Sequence, residues 1–97
     1  MDFLELKYED KTYTNHKQII NILKNKGFHW LIDSEVDGAS IEIVNDTLIW
    51  NDGIYMVGDW YYGIFKGGSF YGNWKNGIFE NGYFNGNWVS GVNLSKK

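Results

Sequence analysis

From Gly58 onward the chain repeats itself. The segment GDWYYGIFKGGSFY (58–71) is followed by GNWKNGIFENGYFN (72–85) and then by GNWVSGVNLSKK (86–97). Trp60, Trp74 and Trp88 recur at intervals of 14 residues, Phe65 answers Phe79, and Phe70 answers Phe84. Within a unit the element Gly-x-ring appears three times, at steps of 5, 5 and 4. A looser copy precedes it, with Trp50 and Gly53-Ile54-Tyr55. Self-similarity at a fixed period marks a stacked or meandering array. A helix is excluded, because glycine at this density costs about 1 kcal/mol per site in a helix interior. Proline is absent, so every backbone N–H is available to a sheet ladder.

The repeat therefore predicts short strands with tight corners. Asn51-Asp52-Gly53, Lys75-Asn76-Gly77 and Glu80-Asn81-Gly82 carry the Asp-Gly and Asn-Gly pairs that mark turns. In an extended segment the glycine two residues before each ring shares its face, which leaves room for a neighbouring ring. The predicted core of the repeat is Trp50, Tyr55, Trp60, Phe65, Phe70, Trp74, Phe79, Phe84 and Trp88. At about 2 kcal/mol or more per buried ring, these positions can offset the ordering of so glycine-rich a segment. The last unit degenerates at Val92-Asn93 and ends in Lys96-Lys97, which predicts a polar terminal cap.

Upstream the pattern changes. Residues 3–8, FLELKY, alternate apolar and polar, and period two predicts a strand. Glu9-Asp10 reads as a turn and residues 11–14 as the returning strand. Asn15 can cap a following helix, with Gln18 at the third position of a capping box. Ile19, Ile20, Ile22 and Leu23 give that helix its apolar face, Lys24 and Lys26 suit its last turn, and Gly27 stops it. Residues 28–32, FHWLI, are expected to form a strand and Asp33 to Gly38 a polar loop. Ala39 to Val44 alternate again, with Ile41 and Ile43 on one face. Asn45-Asp46 is a turn signal, and residues 47–50 lead into the repeat.

The size prior makes residues 1–97 a single domain, composed of an α+β region (1–44) and a Gly-aromatic β-repeat region (45–97). Aromatic residues make up 19% of the chain, and each ring hides roughly 150–250 Å² when buried, so a chain this short can still build a core. The net charge is −3. No basic patch is visible, which argues against a nucleic-acid partner. With no cysteine, disulfides, zinc-thiolate sites and cysteine nucleophiles are excluded. The N-terminal MDFLELKYED lacks both the positive region and the apolar stretch of a signal peptide, and no membrane span is read; a cytoplasmic location is expected.

The residues Phe70-Tyr71-Gly72-Asn73-Trp74-Lys75-Asn76-Gly77 resemble the core of a MORN repeat, Tyr-x-Gly-x-Trp-x-x-Gly. Residues 84–91 follow the same pattern, and residues 56–63 nearly do. The resemblance implies antiparallel β-hairpins in a row, used for protein contact, assembly and in some members lipid association. MORN units run to about two dozen residues, whereas this unit is 14 long with an extra Gly-x-Phe. The scheme of a small residue two before a large apolar one, at five-residue steps, is also similar to the pentapeptide repeats, which form a square parallel β-helix; the four-residue steps break that square register. Short Gly-Trp/Phe repeats of this kind resemble those of phage proteins. The fold expected is thus α+β and mostly β: an N-terminal hairpin and one helix, then an antiparallel MORN-like repeat sheet, with a β-helix or solenoid as the alternative.

No catalytic constellation stands out: there is no nucleophile elbow, phosphate loop or paired-carboxylate signature. His16 and His29 lack partners at ligand spacing. Asp33, Glu35 and Asp37 form an acidic loop without the twelve-position pattern of a calcium site. No metal and no cofactor is expected, and the chain is not read as an enzyme. Tyr61, Tyr62, Tyr71 and Tyr83 fall off the core register and are expected to face outward. A sheet tolerates surface tyrosine, yet interfaces favour it, so these four are the candidate binding residues. The leading expectation is a non-catalytic protein-interaction module, of the kind a phage accessory protein uses to bind or inhibit a host factor. The alternatives are a binder of a small ligand, nucleotide or saccharide, through exposed rings, and a self-assembling structural protein that becomes a homo-oligomer through its sheet edges.

Overall fold

The computed structural model describes residues 3–95. Strands β1 (Phe3–Tyr8) and β2 (Lys11–Tyr13) pair as the expected antiparallel hairpin. Glu9 and Asp10 both take positive φ, 51° and 64°, as a two-residue type I′ turn requires. Helix α1 (His16–Asn25) begins where the capping signal lies: Asn15 Oδ1 accepts a hydrogen bond from the Gln18 N–H at 3.1 Å. Ile19 and Leu23 are its buried residues, with Ile20 and Ile22 packed at the margin. Gly27 follows at φ +88°.

Two expectations fail after the helix. Residues 28–32 do not form a strand: His29–Ile32 is a short helix, α2, whose Leu31 is buried together with Phe28. Asp33 to Gly38 is not all loop either, because β3 spans Glu35–Val44 and absorbs most of it. Ile41 and Ile43 are both buried, as their alternation requires. β4 (Thr47–Val57) returns antiparallel to β3 across Asn45-Asp46, which have φ of 50° and 62°. β1 lies parallel along the other edge of β3, with Leu6 beside Ile41.

β4 then becomes the first turn of a β-solenoid of about three turns. The remaining strands are two residues each: β5 (Asp59–Trp60), β6 (Ile64–Phe65), β7 (Ser69–Phe70), β8 (Asn73–Trp74), β9 (Ile78–Phe79), β10 (Tyr83–Phe84), β11 (Asn87–Trp88) and β12 (Val92–Asn93). They stack in parallel on three faces. One face runs from Ile49-Trp50 of β4 through β6 and β9 to β12. The next runs from Ile54-Tyr55 of β4 through β7 to β10. The third is β5, β8 and β11. The expected antiparallel repeat sheet does not form, and the solenoid kept as the alternative does.

Local conformation accounts for that correction. A tight hairpin needs positive φ at both central residues. Among the described residues the non-glycine residues that supply it are Glu9, Asp10, Asn45 and Asp46, and both of those pairs close hairpins. At Asn76-Gly77 and Asn81-Gly82 only the glycine is positive, 120° and 127°, so the chain turns a corner and climbs. Each climb brings a backbone ladder into register: Lys75 N–H donates to Trp60 C=O and Val89 N–H to Trp74 C=O, both at 2.8 Å.

The rings fill the solenoid in three columns. Trp60, Trp74 and Trp88 stack at 5.1 and 5.4 Å with their planes within 9°. Trp50, Phe65 and Phe79 form the second column and Tyr55, Phe70 and Phe84 the third. Between columns the rings meet edge to face, as the aromatic quadrupole favours; Phe70 meets Trp74 at 79°. Seven of the nine predicted core rings are fully buried, while Phe84 and Trp88 are only partly so.

The two ends of the solenoid differ. At the start, β3 lies along the outer edge of β4 and Trp30 of α2 sets its indole edge-on against Trp60 at 5.1 Å. The α/β region thus caps the first turn. At the other end Asn93 takes the place of a third ring. Val89, Val92 and Leu94 are exposed on the last turn, along with Asn93; the Lys96-Lys97 part of the expected polar cap lies outside the described residues.

Candidate functional site

The four candidate tyrosines are all exposed, by 44–56% of their surface. They do not form one patch of mutually touching rings. Tyr71 and Tyr83 pair with ring centroids 6.0 Å apart, beside the second face. Tyr61 and Tyr62 follow β5 and lie against α2 instead. Trp30 touches both, at 6.2 and 5.6 Å, and Phe28 touches Tyr62 at 5.6 Å. Trp30 is itself partly exposed. A half-open aromatic cluster of Trp30, Tyr61 and Tyr62 therefore marks the junction between α2 and the solenoid.

The missed member of the cluster is Trp30. A strand over residues 28–32 would have put Trp30 on one face with Phe28 and Ile32 and Leu31 on the other. As a helical turn the segment places Trp30 on Trp60 while Leu31 and Phe28 enter the core. The ring-rich composition of FHWLI was the available signal, and it favoured a strand.

A buried hydrogen-bond chain fastens this junction. Ser34 Oγ donates to the Trp30 carbonyl at 2.8 Å. Its single proton is spent there, so the Tyr55 hydroxyl donates to Ser34 Oγ. Ser34 and Tyr55 are both buried. Gly58 passes against Ser34 so closely that a Cβ there would fall within 3 Å of the serine side chain. Burial pushes the Tyr55 phenol well above its ordinary range, because the phenolate would be desolvated, and this outweighs the opposing effect of the Ser34 bond.

An unfolded phenol ionises near pH 10 while the folded one stays neutral. The stability Tyr55 contributes is complete below pH 10 and falls as pH rises above it. Tyr55→Phe is expected to cost about 1 kcal/mol at neutral pH through the lost bond. In urea titrations that deficit should shrink as pH passes 10. A deficit that stays constant to pH 11 would mean that the Tyr55 phenol does not resist ionisation in the folded state.

Beside the cluster lies a cavity of about 230 Å³ lined by Trp30, Asp33, Ser34, Gly58, Asp59 and Tyr61. Asp59 is held in place: its Oδ1 accepts from Asn73 Nδ2 at 2.9 Å. Asp33 is the residue that closes α2.

A larger, open cleft of about 740 Å³ lies between the two hairpin turns. Lys26 bridges it, 2.6 Å from Asp46 and over the Tyr8 ring at 5.7 Å. The Asp46 carboxylate raises the Lys26 ammonium above its usual value. Charges of both signs line this cleft, so it favours neither anion nor cation. His16 and His29 each open a helix and are exposed. Asp33, Glu35 and Asp37 are spread over the end of α2 and the start of β3. Among the described residues no group of three or more His, Cys, Asp or Glu stands together as a metal would need. No helix of the described residues is long and apolar enough to cross a membrane. No family model matches the chain, and neither a curated protein nor a solved structure matches it.

Proposed function

We propose that the protein is a non-catalytic interaction module that presents the Trp30–Tyr61–Tyr62 cluster to a protein partner. The observation that carries this reading is a group of half-exposed rings held by one another and by the core. Trp30 rests on the buried Trp60, and Tyr62 rests on the buried Phe28. Rings fixed in this way lose little side-chain entropy on binding, and aromatic anchors dominate interface energetics. Tyr71 and Tyr83 form a second, smaller pair that lacks such support from α2. A phage accessory protein that binds or inhibits a host factor is one setting in which a module of this kind would serve.

Capture experiments separate the readings. Tagged wild type, Tyr61→Ala/Tyr62→Ala and Tyr71→Ala/Tyr83→Ala are each incubated with lysate supplemented with untagged chain. Loss of a captured protein with the first variant only, by about tenfold or more as expected for two anchor residues at ≥ 1 kcal/mol each, supports the cluster. Equal capture by all three removes it. Recovery of the untagged chain itself, indifferent to either variant, favours self-association, for which the exposed Val89, Val92 and Leu94 speak.

A further inference from the structure

We infer that the 230 Å³ cavity between α2 and β5 is a socket for a basic side chain, lysine or arginine, of the partner polypeptide. The inference rests on the interaction reading and gives it a chemistry. Size comes first. Pockets for small ligands run to about 300–1,000 Å³, so this cavity is too small for a nucleoside or a disaccharide and suits the end of one side chain.

Charge comes second. Asp33 and Asp59 both line the cavity, and no lysine or arginine does. Lys75 follows Trp74 as Tyr61 follows Trp60, yet it is not part of the lining. Asp59 is fixed through Asn73, and among the described residues its Oδ2 has only a long contact with the Tyr61 hydroxyl, 3.5 Å. That oxygen retains capacity for a stronger donor. Asp33 makes no ion pair among the described residues and is exposed at the rim.

The walls come third. Trp30 and Tyr61 meet at 70° with centroids 6.2 Å apart, so two ring systems form a corner rather than a flat shelf. Ring faces attract ammonium and guanidinium groups electrostatically and repel anions. A basic group in this corner would gain ring and carboxylate contacts together. An aliphatic stem could lie along the rings while the charged end reaches the carboxylates.

The test uses model side chains and the intact protein. N-acetyl-lysine methylamide, N-acetyl-arginine methylamide and the neutral N-acetyl-norleucine methylamide are titrated at matched ionic strength, following the Trp30 indole N–H resonance. The basic compounds should saturate with Kd of about 1–20 mM, as ring and partly exposed carboxylate contacts allow. Norleucine should bind at least tenfold more weakly. Asp33→Asn, which lies at the rim, should weaken the basic compounds several-fold, and Asp33→Asn/Asp59→Asn should weaken them further. An unchanged amide fingerprint certifies that each variant is folded.

An equal response to norleucine would mean an apolar pocket and overturn the inference, as would the absence of saturation with any compound to 100 mM. Retained binding in a folded Asp33→Asn/Asp59→Asn variant would overturn it too. The two proposals fail separately. Lysate capture that depends on Tyr61 and Tyr62 but ignores both aspartates leaves the interaction reading intact and removes the socket.

Discussion

Replacing Trp74 by alanine is expected to cost about 3–5 kcal/mol, the usual range for deleting a buried large ring. The chain as a whole is expected to have only about 5–15 kcal/mol of stability, so this single change should lower the melting temperature by about 15–30 °C. The position of the ring sets this cost. Trp74 is fully buried and stacked between Trp60 and Trp88, and it takes edge-on contacts from Phe70 and Phe79 at 5.3 and 5.6 Å. The cavity left behind cannot close. Ladder bonds above and below, Lys75 to Trp60 and Val89 to Trp74, fix the spacing of the turns.

Two comparison variants sharpen the expectation. Among the described residues the buried Trp74 indole N–H has no hydrogen-bond partner, so Trp74→Phe loses ring area but no hydrogen bond. It should cost roughly 1–2 kcal/mol, well short of the alanine change. Trp88→Ala removes a ring that is only partly covered and, among the described residues, is stacked on one side alone, so it should cost less than half as much as Trp74→Ala. Urea unfolding followed by far-ultraviolet ellipticity measures all three. If Trp88→Ala is as costly as Trp74→Ala, the interior stack is not what holds the solenoid. Solenoid turns touch only their neighbours, so amide exchange in Trp74→Ala should accelerate most over residues 84–94.

How much of this was legible beforehand depended on whether the deciding interaction was local. Helix α1 was readable because its cap, its apolar face and its stop all lie within residues 15–27, and Asn15 does accept from Gln18 N–H. The ring positions were readable because a period survives whatever the pairing. The direction of pairing was harder. Asn76-Gly77 looks like a hairpin turn, but only its glycine takes positive φ, and Asn76 instead accepts from the Gly77 N–H through its own side chain. A better signal was present: in stacked turns like residues recur at a constant offset, as Trp60, Trp74 and Trp88 do, whereas in a hairpin partner numbers sum to a constant. The extra residue of the first turn is visible in the same way, since Met56-Val57 stands where later turns have Tyr71 or Asn85 alone.

The candidate site was legible only in its outline. That Tyr61, Tyr62, Tyr71 and Tyr83 leave the core register could be read from spacing, and all four are exposed. That Tyr61 and Tyr62 join Trp30 could not, because α2 is four residues long and its sequence favours a strand. Its conformation is set from outside, by Leu31 and Phe28 in the core and by Trp30 on Trp60. The cavity with Asp33 and Asp59 depends on the same helix, so it too was invisible to any local rule.

Gly77→Ala is the second large effect expected, about 2–6 kcal/mol, and two independent causes contribute. At φ +120° an L-residue is strained by about 1–3 kcal/mol. A Cβ would also stand 2.7 Å from the Gly63 carbonyl oxygen of the turn before, and 3.0 Å from the Trp60 indole nitrogen. Neither can move away freely: that carbonyl accepts from Ile78 N–H at 2.9 Å, and Trp60 is locked in its column. Overpacking against such neighbours adds about 1–3 kcal/mol. Other glycines separate the two causes. Gly27 has φ +88° with nothing within 4 Å of a Cβ, so Gly27→Ala carries strain without contact. Gly72 has no positive φ but a Cβ would lie 2.5 Å from the Gly58 carbonyl, so Gly72→Ala carries contact without strain. In one urea series Gly77→Ala should cost more than either, and close to their sum. If it costs no more than Gly27→Ala, the turns can part to admit a methyl group, and close backbone stacking is not why glycine stands at this corner.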